Sequence, residues 1–340
     1  MPSNLMLAVL KEKAAPGVTI KKIPVPKPQK DEVLVKVVHA SICGTDIGIY
    51  DWIPWAAGHI KPPIVIGHEI VGKVLEVNTD RKTNIKKGDL VSSETHIFCL
   101  NCFQCQIKNY HVCENMQLFG IGRNGSFAEY ATIPLKTTWK NNPKINIEAM
   151  SVQEPLGNAV NVVTKAKVRG KKVLIMGLGP TGLCAGAVAW ADGAKEVVGV
   201  NDEPYRRDLA KKSGWFDRVS EKIDIKEYNT FDVVLEMSGN RLGIQTAFEA
   251  VRIAGKIIAF GIPKENITVD WGKYMINKEL TIESVFGRQI WETWEQTTKL
   301  LASGKIDLLK TITHRFPLAE FEKAMALMKS RKSGKIILTP

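Results

Sequence analysis

Residues 173–182 read VLIMGLGPTG, four apolar residues that run straight into Gly177-Leu178-Gly179-Pro180-Thr181-Gly182. A short apolar run stopped by glycine has the texture of a buried strand. The small residues of 183–190 (LCAGAVAW) then read as a helix packed close to its neighbours. A glycine loop between a strand and a helix start lets backbone amides approach a pyrophosphate with no Cβ in the way. Gly177, Gly179, Pro180 and Gly182 are therefore candidate contacts for a dinucleotide.

Downstream, 196–200 (EVVGV), 231–235 (FDVVL), 256–260 (KIIAF) and 280–286 (LTIESVF) read as further strands, separated by helical stretches. That alternation predicts an α/β unit with a doubly wound parallel sheet. Upstream, 32–38 (EVLVKVV), 64–66 and 70–77 are β-type runs separated by Gly, Pro, Asn and Asp, which predicts a smaller all-β unit. Beyond Gly287 the pattern is helical over 291–301 and 318–328, then strand-like over 335–338. The expected organisation is a β-rich unit over 1–156, an α/β unit over 157–287, and a tail over 288–340 that rejoins the first. A chain of 340 residues exceeds one ordinary hydrophobic core, in keeping with more than one unit.

Where the second strand ends, a dinucleotide site with an unphosphorylated ribose usually offers an acid to the 2′-hydroxyl. Here Asn201 stands at that point, followed by Asp202, Glu203, Arg206 and Arg207. The two carboxylates repel a 2′-phosphate and the arginines attract one. The balance favours NAD and leaves NADP open, with Asn201 and Arg206 as further candidate contacts.

Four of the six cysteines fall in Cys99-x2-Cys102-x2-Cys105-x7-Cys113. Four thiolates so spaced can wrap one tetrahedral Zn2+ in a closed, structural site; an iron–sulfur cluster is the other four-cysteine option. Cys184 falls in the predicted helix and reads as a buried structural cysteine. A second set combines Cys43-Gly44-Thr45-Asp46, Gly67-His68-Glu69 and Glu154-Pro155. One thiolate, one imidazole and one or two carboxylates suit a catalytic zinc that keeps an exchangeable position.

Lysine and arginine exceed acids by a net +12, but they are scattered, with no basic stripe interleaved with aromatics, so no nucleic-acid partner is expected. No run is long and apolar enough for a membrane span, and the opening MPSNLMLAVLKEK lacks a secretory pattern, so a cytoplasmic location is expected.

Together these residues resemble the zinc-containing medium-chain dehydrogenases over essentially the whole chain. The stretches SICGTDIGIYDW, GHE, ETHIFC, QEPLGNAV, FDVVLEMSG, FGRQIWETW and ITHRF are similar to the group within that family that oxidises L-threonine. The resemblance implies a GroES-like catalytic domain followed by a Rossmann domain, and a homotetramer. It implies a catalytic zinc on Cys43, His68, Glu69 and Glu154, with Glu154 exchanging as substrate arrives. Structural zinc would sit on Cys99, Cys102, Cys105 and Cys113, giving two zinc ions per chain beside NAD. Thr45 would accept or pass the hydroxyl proton, and His96 would face the substrate or make a structural hydrogen bond.

The implied reaction is oxidation of a secondary alcohol with hydride transfer to NAD, L-threonine giving 2-amino-3-oxobutyrate. A polyol, sugar or butanediol dehydrogenase on the same scaffold is the alternative, and a non-catalytic zinc- and nucleotide-binding protein is the alternative of another class. Arg288 can meet a substrate carboxylate, contact the cofactor or make an ion pair. One departure stands out: the family pattern C-G-T-D-x-H places a proton-relaying histidine where this chain has Gly48.

Overall fold

A computed structural model describes residues 4–340; residues 1–3 of the opening stretch read above for a secretory pattern lie outside it. The chain folds as two compact units. One runs to Glu154 and also takes Ile312–Pro340, and the other is Pro155–Thr311.

The first unit is built on Glu32–Ser41, whose β-branched run suits a strand buried along most of its length. It pairs antiparallel with Glu69–Asn78 and with Tyr130–Pro134. The C-terminal strand Lys335–Thr339 adds antiparallel at the Ser41 end, Ile337 opposite Ser41, and carries Ile312–Pro317 parallel beside it. Val33, Val35, Val37, Phe119, Phe127 and Phe321 lie in its core. The rings of Phe127 and Phe321 are 5.3 Å apart, so the returning tail is packed as well as paired.

The second unit is a six-stranded parallel sheet in the order Arg218–Ser220, Glu196–Val200, Lys172–Met176, Phe231–Glu236, Val251–Ala259, Thr281–Ser284. Val173, Leu174 and Ile175 are fully buried, as expected of a strand covered on both faces. From Lys172–Met176 the chain winds to one side and then returns to the other. A topological switch point therefore opens at the carboxyl ends of Lys172–Met176 and Phe231–Glu236, where such sheets bind ligands.

The boundary expected at 287/288 is corrected: residues 288–311 belong to the second unit, and the return to the first begins at Ile312. The reason is packing on the helix Gln153–Ala166. Arg288 is buried and donates from Nη1 to Asn158 Oδ1 at 2.9 Å, while Asn161 Nδ2 donates to the Gly287 carbonyl at 2.9 Å. A Cβ on Gly157 would lie 2.6 Å from Arg288 Cδ, so the glycine leaves room for the arginine stem. Trp294 and Thr297 of the helix Glu292–Ala302 are buried in the same unit.

Among the described residues no helix is long and apolar enough to cross a membrane.

Gly157→Ala forces that contact and should destabilise the protein by about 1–3 kcal/mol, the usual cost of overpacking. Urea denaturation checks it, and an unchanged midpoint contradicts the packing account.

Candidate metal and dinucleotide sites

The helix Gly44–Asp51 begins at Cys43, whose backbone N–H donates to Asp46 Oδ2 at 2.8 Å. That contact fixes the first turn and leaves Thr45 Oγ1 3.7 Å from Cys43 Sγ. His68 and Glu69 come from the sheet: Glu69 opens Glu69–Asn78, opposite Ser41. Cys43, His68 and Glu69 bring one ligand atom each to within 4.8 Å of one another. Buried Glu69 Oε1 has no hydrogen-bond partner, while His68 Nδ1 and Asp46 Oδ1, which lack one too, face each other as an ion pair at 3.8 Å. An unpartnered carboxylate oxygen beside a thiol and an imidazole, itself oriented by a second carboxylate, fits a metal-ligand set.

Charge supports the same reading. Burial alone would lower the His68 pKa, but the Cys43 and Asp46 side chains beside it raise it to about 10. The surroundings of the imidazole thus favour positive charge there. Burial also raises the Glu69 and Asp46 carboxyls, with His68 and Lys335 acting against it. Lys335, buried on the C-terminal strand, pairs with Glu69 Oε2, which also accepts from Ser41 Oγ; the lysine donates further to the Ile42 carbonyl at 3.0 Å.

Glu154 lies outside that three-residue group. Its carboxylate is buried and accepts from Thr95 Oγ1 at 3.1 Å, and its charge acts on His68, Glu69 and Lys335. His96 is buried with Nδ1 2.9 Å from Glu94 Oε1, an oxygen that also accepts the His96 backbone N–H. A carboxylate thus orients the imidazole. Asp46, Lys335, Ser41 and Glu94 carry no role in the sequence reading. Asp46 sits inside the quoted C-G-T-D motif and was open to assignment, but nothing local to Lys335 ties it to Glu69.

The four cysteines of 99–113 converge in their own lobe. Cys99 Sγ lies 3.9 Å from Cys105 Sγ and Cys102 Sγ 3.8 Å from Cys113 Sγ. With Zn–S near 2.3 Å, a tetrahedron has edges of about 3.8 Å, so the spacing matches one ion. It is about twice a disulfide bond, and among the described residues no disulfide joins any two of the six cysteines. Backbone N–H groups of Asn101 and Cys102 donate to Cys99 Sγ at 3.4 and 3.3 Å, which favours its thiolate and lowers its pKa to about 6. Burial instead pushes Cys113 up to about 12.

In the second unit, Gly177 (φ +97°) turns the chain out of Lys172–Met176, and the helix Pro180–Ala191 starts with Gly179 as its cap and Pro180 in its first turn. A Cβ on Gly182 would sit 1.9 Å from the Gly177 carbonyl oxygen, so only glycine permits this closure. A Cβ on Gly179 would sit 3.7 Å from Arg206 Nη1, which puts that guanidinium beside the loop. Asn201 is buried and its Oδ1 accepts from Glu203 N at 3.0 Å. Arg207 is turned onto the Asn201 and Asp202 carbonyls, at 2.9 and 2.7 Å.

Residues 29–143 match the family described as Alcohol dehydrogenase GroES-like domain, and residues 180–303 match Zinc-binding dehydrogenase. The chain is 42% identical to L-threonine 3-dehydrogenase of Pyrococcus abyssi over 98% of this chain and 99% of that one. It is 40% identical to the L-threonine 3-dehydrogenase of Bacillus licheniformis with the same coverage. Among solved structures it resembles the alcohol dehydrogenase of Thermus sp. ATN1, with TM-score 0.87, 27% identity, and coverage of 98% of this chain and 100% of that one. The chain belongs to the zinc-binding, GroES-like alcohol dehydrogenases, a family of enzymes with a Rossmann-type α/β domain.

Zinc needs a neutral imidazole, whereas His68 holds its proton below about pH 10 in the metal-free protein. Zinc uptake at pH 8 should therefore expel it. Calorimetric zinc titration in buffers of different ionisation enthalpy should show fewer protons released per chain by His68→Ala, which lacks the imidazole proton and the ligand it makes way for. Equal release by the variant contradicts the assignment.

Proposed function

We propose that this enzyme oxidises the side-chain hydroxyl of L-threonine to 2-amino-3-oxobutyrate and passes the hydride to NAD, which it uses in preference to NADP. The observation that carries the chemistry is the convergence of Cys43, His68 and Glu69, with the buried Glu69 Oε1 left without a hydrogen-bond partner. The substrate rests on relatives of 40–42% identity that are L-threonine 3-dehydrogenases along nearly their whole length. In this reading Cys43, His68, Glu69 and, exchangeably, Glu154 hold a catalytic zinc, and Cys99, Cys102, Cys105 and Cys113 hold a structural one.

A zinc ion at such a mixed set supplies Lewis acidity toward a substrate hydroxyl, and the nicotinamide supplies the hydride acceptor. The protein does the positioning and the proton handling. Thr45, next to the thiolate ligand, takes the hydroxyl proton. Glu94 keeps His96 in one orientation at the substrate side. Gly177, Gly179, Pro180 and Gly182 cradle the pyrophosphate, Arg206 adds positive charge beside that loop, and Asn201 meets the ribose. The unit that runs to Glu154 and takes Ile312–Pro340 is the catalytic domain, and Pro155–Thr311 is the dinucleotide domain. The enzyme works in the cytoplasm as a homotetramer, without nucleic-acid or membrane partners. Assembly is supported by the edge strand Thr281–Ser284, where Ile282 is exposed.

At the relay position, a Cβ on Gly48 would lie 2.8 Å from Ile53 Cδ1, so an apolar side chain fills the space where an imidazole would begin. Proton release from Thr45 then goes through water or the cofactor ribose and depends more steeply on pH. The double variant Gly48→His with Ile53→Ala should raise turnover near pH 7 and flatten the pH–rate profile; an unchanged profile contradicts the relay argument.

Initial rates with L-threonine, galactitol and butanediol, each with NAD and NADP, test the substrate directly. Saturable turnover of L-threonine with NAD is expected. Turnover of the polyols alone would overturn the substrate and leave the class of chemistry standing.

A further inference from the structure

Glu236 ends the strand Phe231–Glu236 at the switch point of the second unit and is almost fully buried. Among the described residues no lysine or arginine pairs with it. Its carboxylate instead collects donors from the turn that follows. Oε1 accepts the Ser238 N–H at 2.9 Å, the Ser238 hydroxyl and the Gly239 N–H at 3.2 Å, and Oε2 lies 3.3 Å from the same Gly239 N–H. Ser238 Oγ in turn accepts from Asn240 N at 3.0 Å.

The turn 237–240 is also wedged between its neighbours. Met237 N donates to the Met176 carbonyl at 2.9 Å, which ties the turn to the end of Lys172–Met176. A Cβ on Gly177 would lie 2.8 Å from Ser238 Cα, and one on Gly261 would lie 2.1 Å from Gly239 N and 2.7 Å from Glu236 Oε2. Gly239 itself has φ +60°, and a Cβ there would meet the Ile262 carbonyl at 2.4 Å. Three adjacent strands therefore end in backbone touching backbone, with one carboxylate at the centre.

We propose that Glu236 is a positioning residue for the dinucleotide: it fixes the Ser238–Gly239 backbone as the wall of the crevice opposite the Gly177 loop. This rests on the reading that the second unit binds NAD. The sheet does not need the carboxylate, since its ladder already holds the strands; what the carboxylate orders is a turn that faces the crevice. Burial pushes the Glu236 carboxyl up, and the hydrogen bonds from Ser238 and Gly239 pull the other way, toward the acceptor-only form the turn requires. An amide of the same shape would aim an NH2 group at N–H donors and leave a buried donor without an acceptor.

The test is NADH binding by fluorescence titration on the full-length, zinc-loaded enzyme, with steady-state kinetics beside it, for Glu236→Gln and Ser238→Ala. In Glu236→Gln the dinucleotide Kd and KM should rise roughly tenfold or more, the factor expected from one unsatisfied donor. The kcat and the KM for L-threonine at saturating dinucleotide should stay within about twofold. Ser238→Ala should move Kd in the same direction by a smaller factor. A folded Glu236→Gln with wild-type Kd, or one whose two KM values rise together, overturns the proposal. Should that variant fail to fold, a wild-type Kd in Ser238→Ala overturns it instead. Wild-type enzyme that binds neither dinucleotide overturns the NAD reading, and this inference with it.

Discussion

A lysine and a glutamate share the interior of the first unit, and the candidate catalytic site depends on their pairing. Glu69 and Lys335 are both almost wholly buried and lie 266 positions apart in the chain. Removing either charge from water costs several kcal/mol, and stripping one partner leaves the other buried and unpaired. Ser41, opposite Glu69 in the sheet and opposite Ile337 of the last strand, adds a hydrogen bond to the same carboxylate oxygen. One oxygen of Glu69 is thereby committed to the protein. The other, Oε1, is left toward Cys43 and His68, where the proposed zinc would need it. The C-terminal strand thus closes the sheet and supplies the counter-charge that orients a ligand.

The second unit solves a different problem, close approach of backbone to backbone, and does so with glycine. Gly177, Gly182, Gly239 and Gly261 each stand where a Cβ would collide with a neighbouring backbone atom. Backbones thereby meet at the carboxyl ends of the central strands, beside the helix start at Gly179, where such sheets bind ligands. Gly157 instead makes room for a side chain, the stem of Arg288, joining two of the quoted motifs, QEPLGNAV and FGRQIWETW, in one packed structure. ITHRF is likewise structural, for Arg315 grips both oxygens of Glu148 at 2.6 Å.

What was readable in the sequence was what is local. A strand, a glycine loop and a helix follow one another within residues 172–191, and the strands that alternate with helices after them mark the parallel sheet. The four cysteines converge because fifteen consecutive residues carry them all. Cys43, His68 and Glu69 were nameable from short motifs, although their meeting depends on sheet register. Lys335 and Glu236 stayed hidden because each looks like an ordinary strand-end charge until burial and register are known. The misplaced boundary at 287/288 has the same origin. Arg288 reads as the start of a tail, and only its burial against a helix 130 residues earlier assigns it to the second unit.

Cys99, Cys102, Cys105 and Cys113 present four sulfurs to one proposed zinc ion, and Cys43, His68 and Glu69 present a single sulfur with nitrogen and oxygen to the other. Zinc X-ray absorption on the fully loaded protein, with metal analysis on the same sample, tests this pair of sites most directly. The account predicts two zinc ions per chain and an average of about 2.5 sulfur ligands per ion, the remainder being nitrogen and oxygen. A single ion with four sulfurs would contradict it, because the buried group of Cys43, His68 and Glu69 would then hold a proton where the account requires a metal.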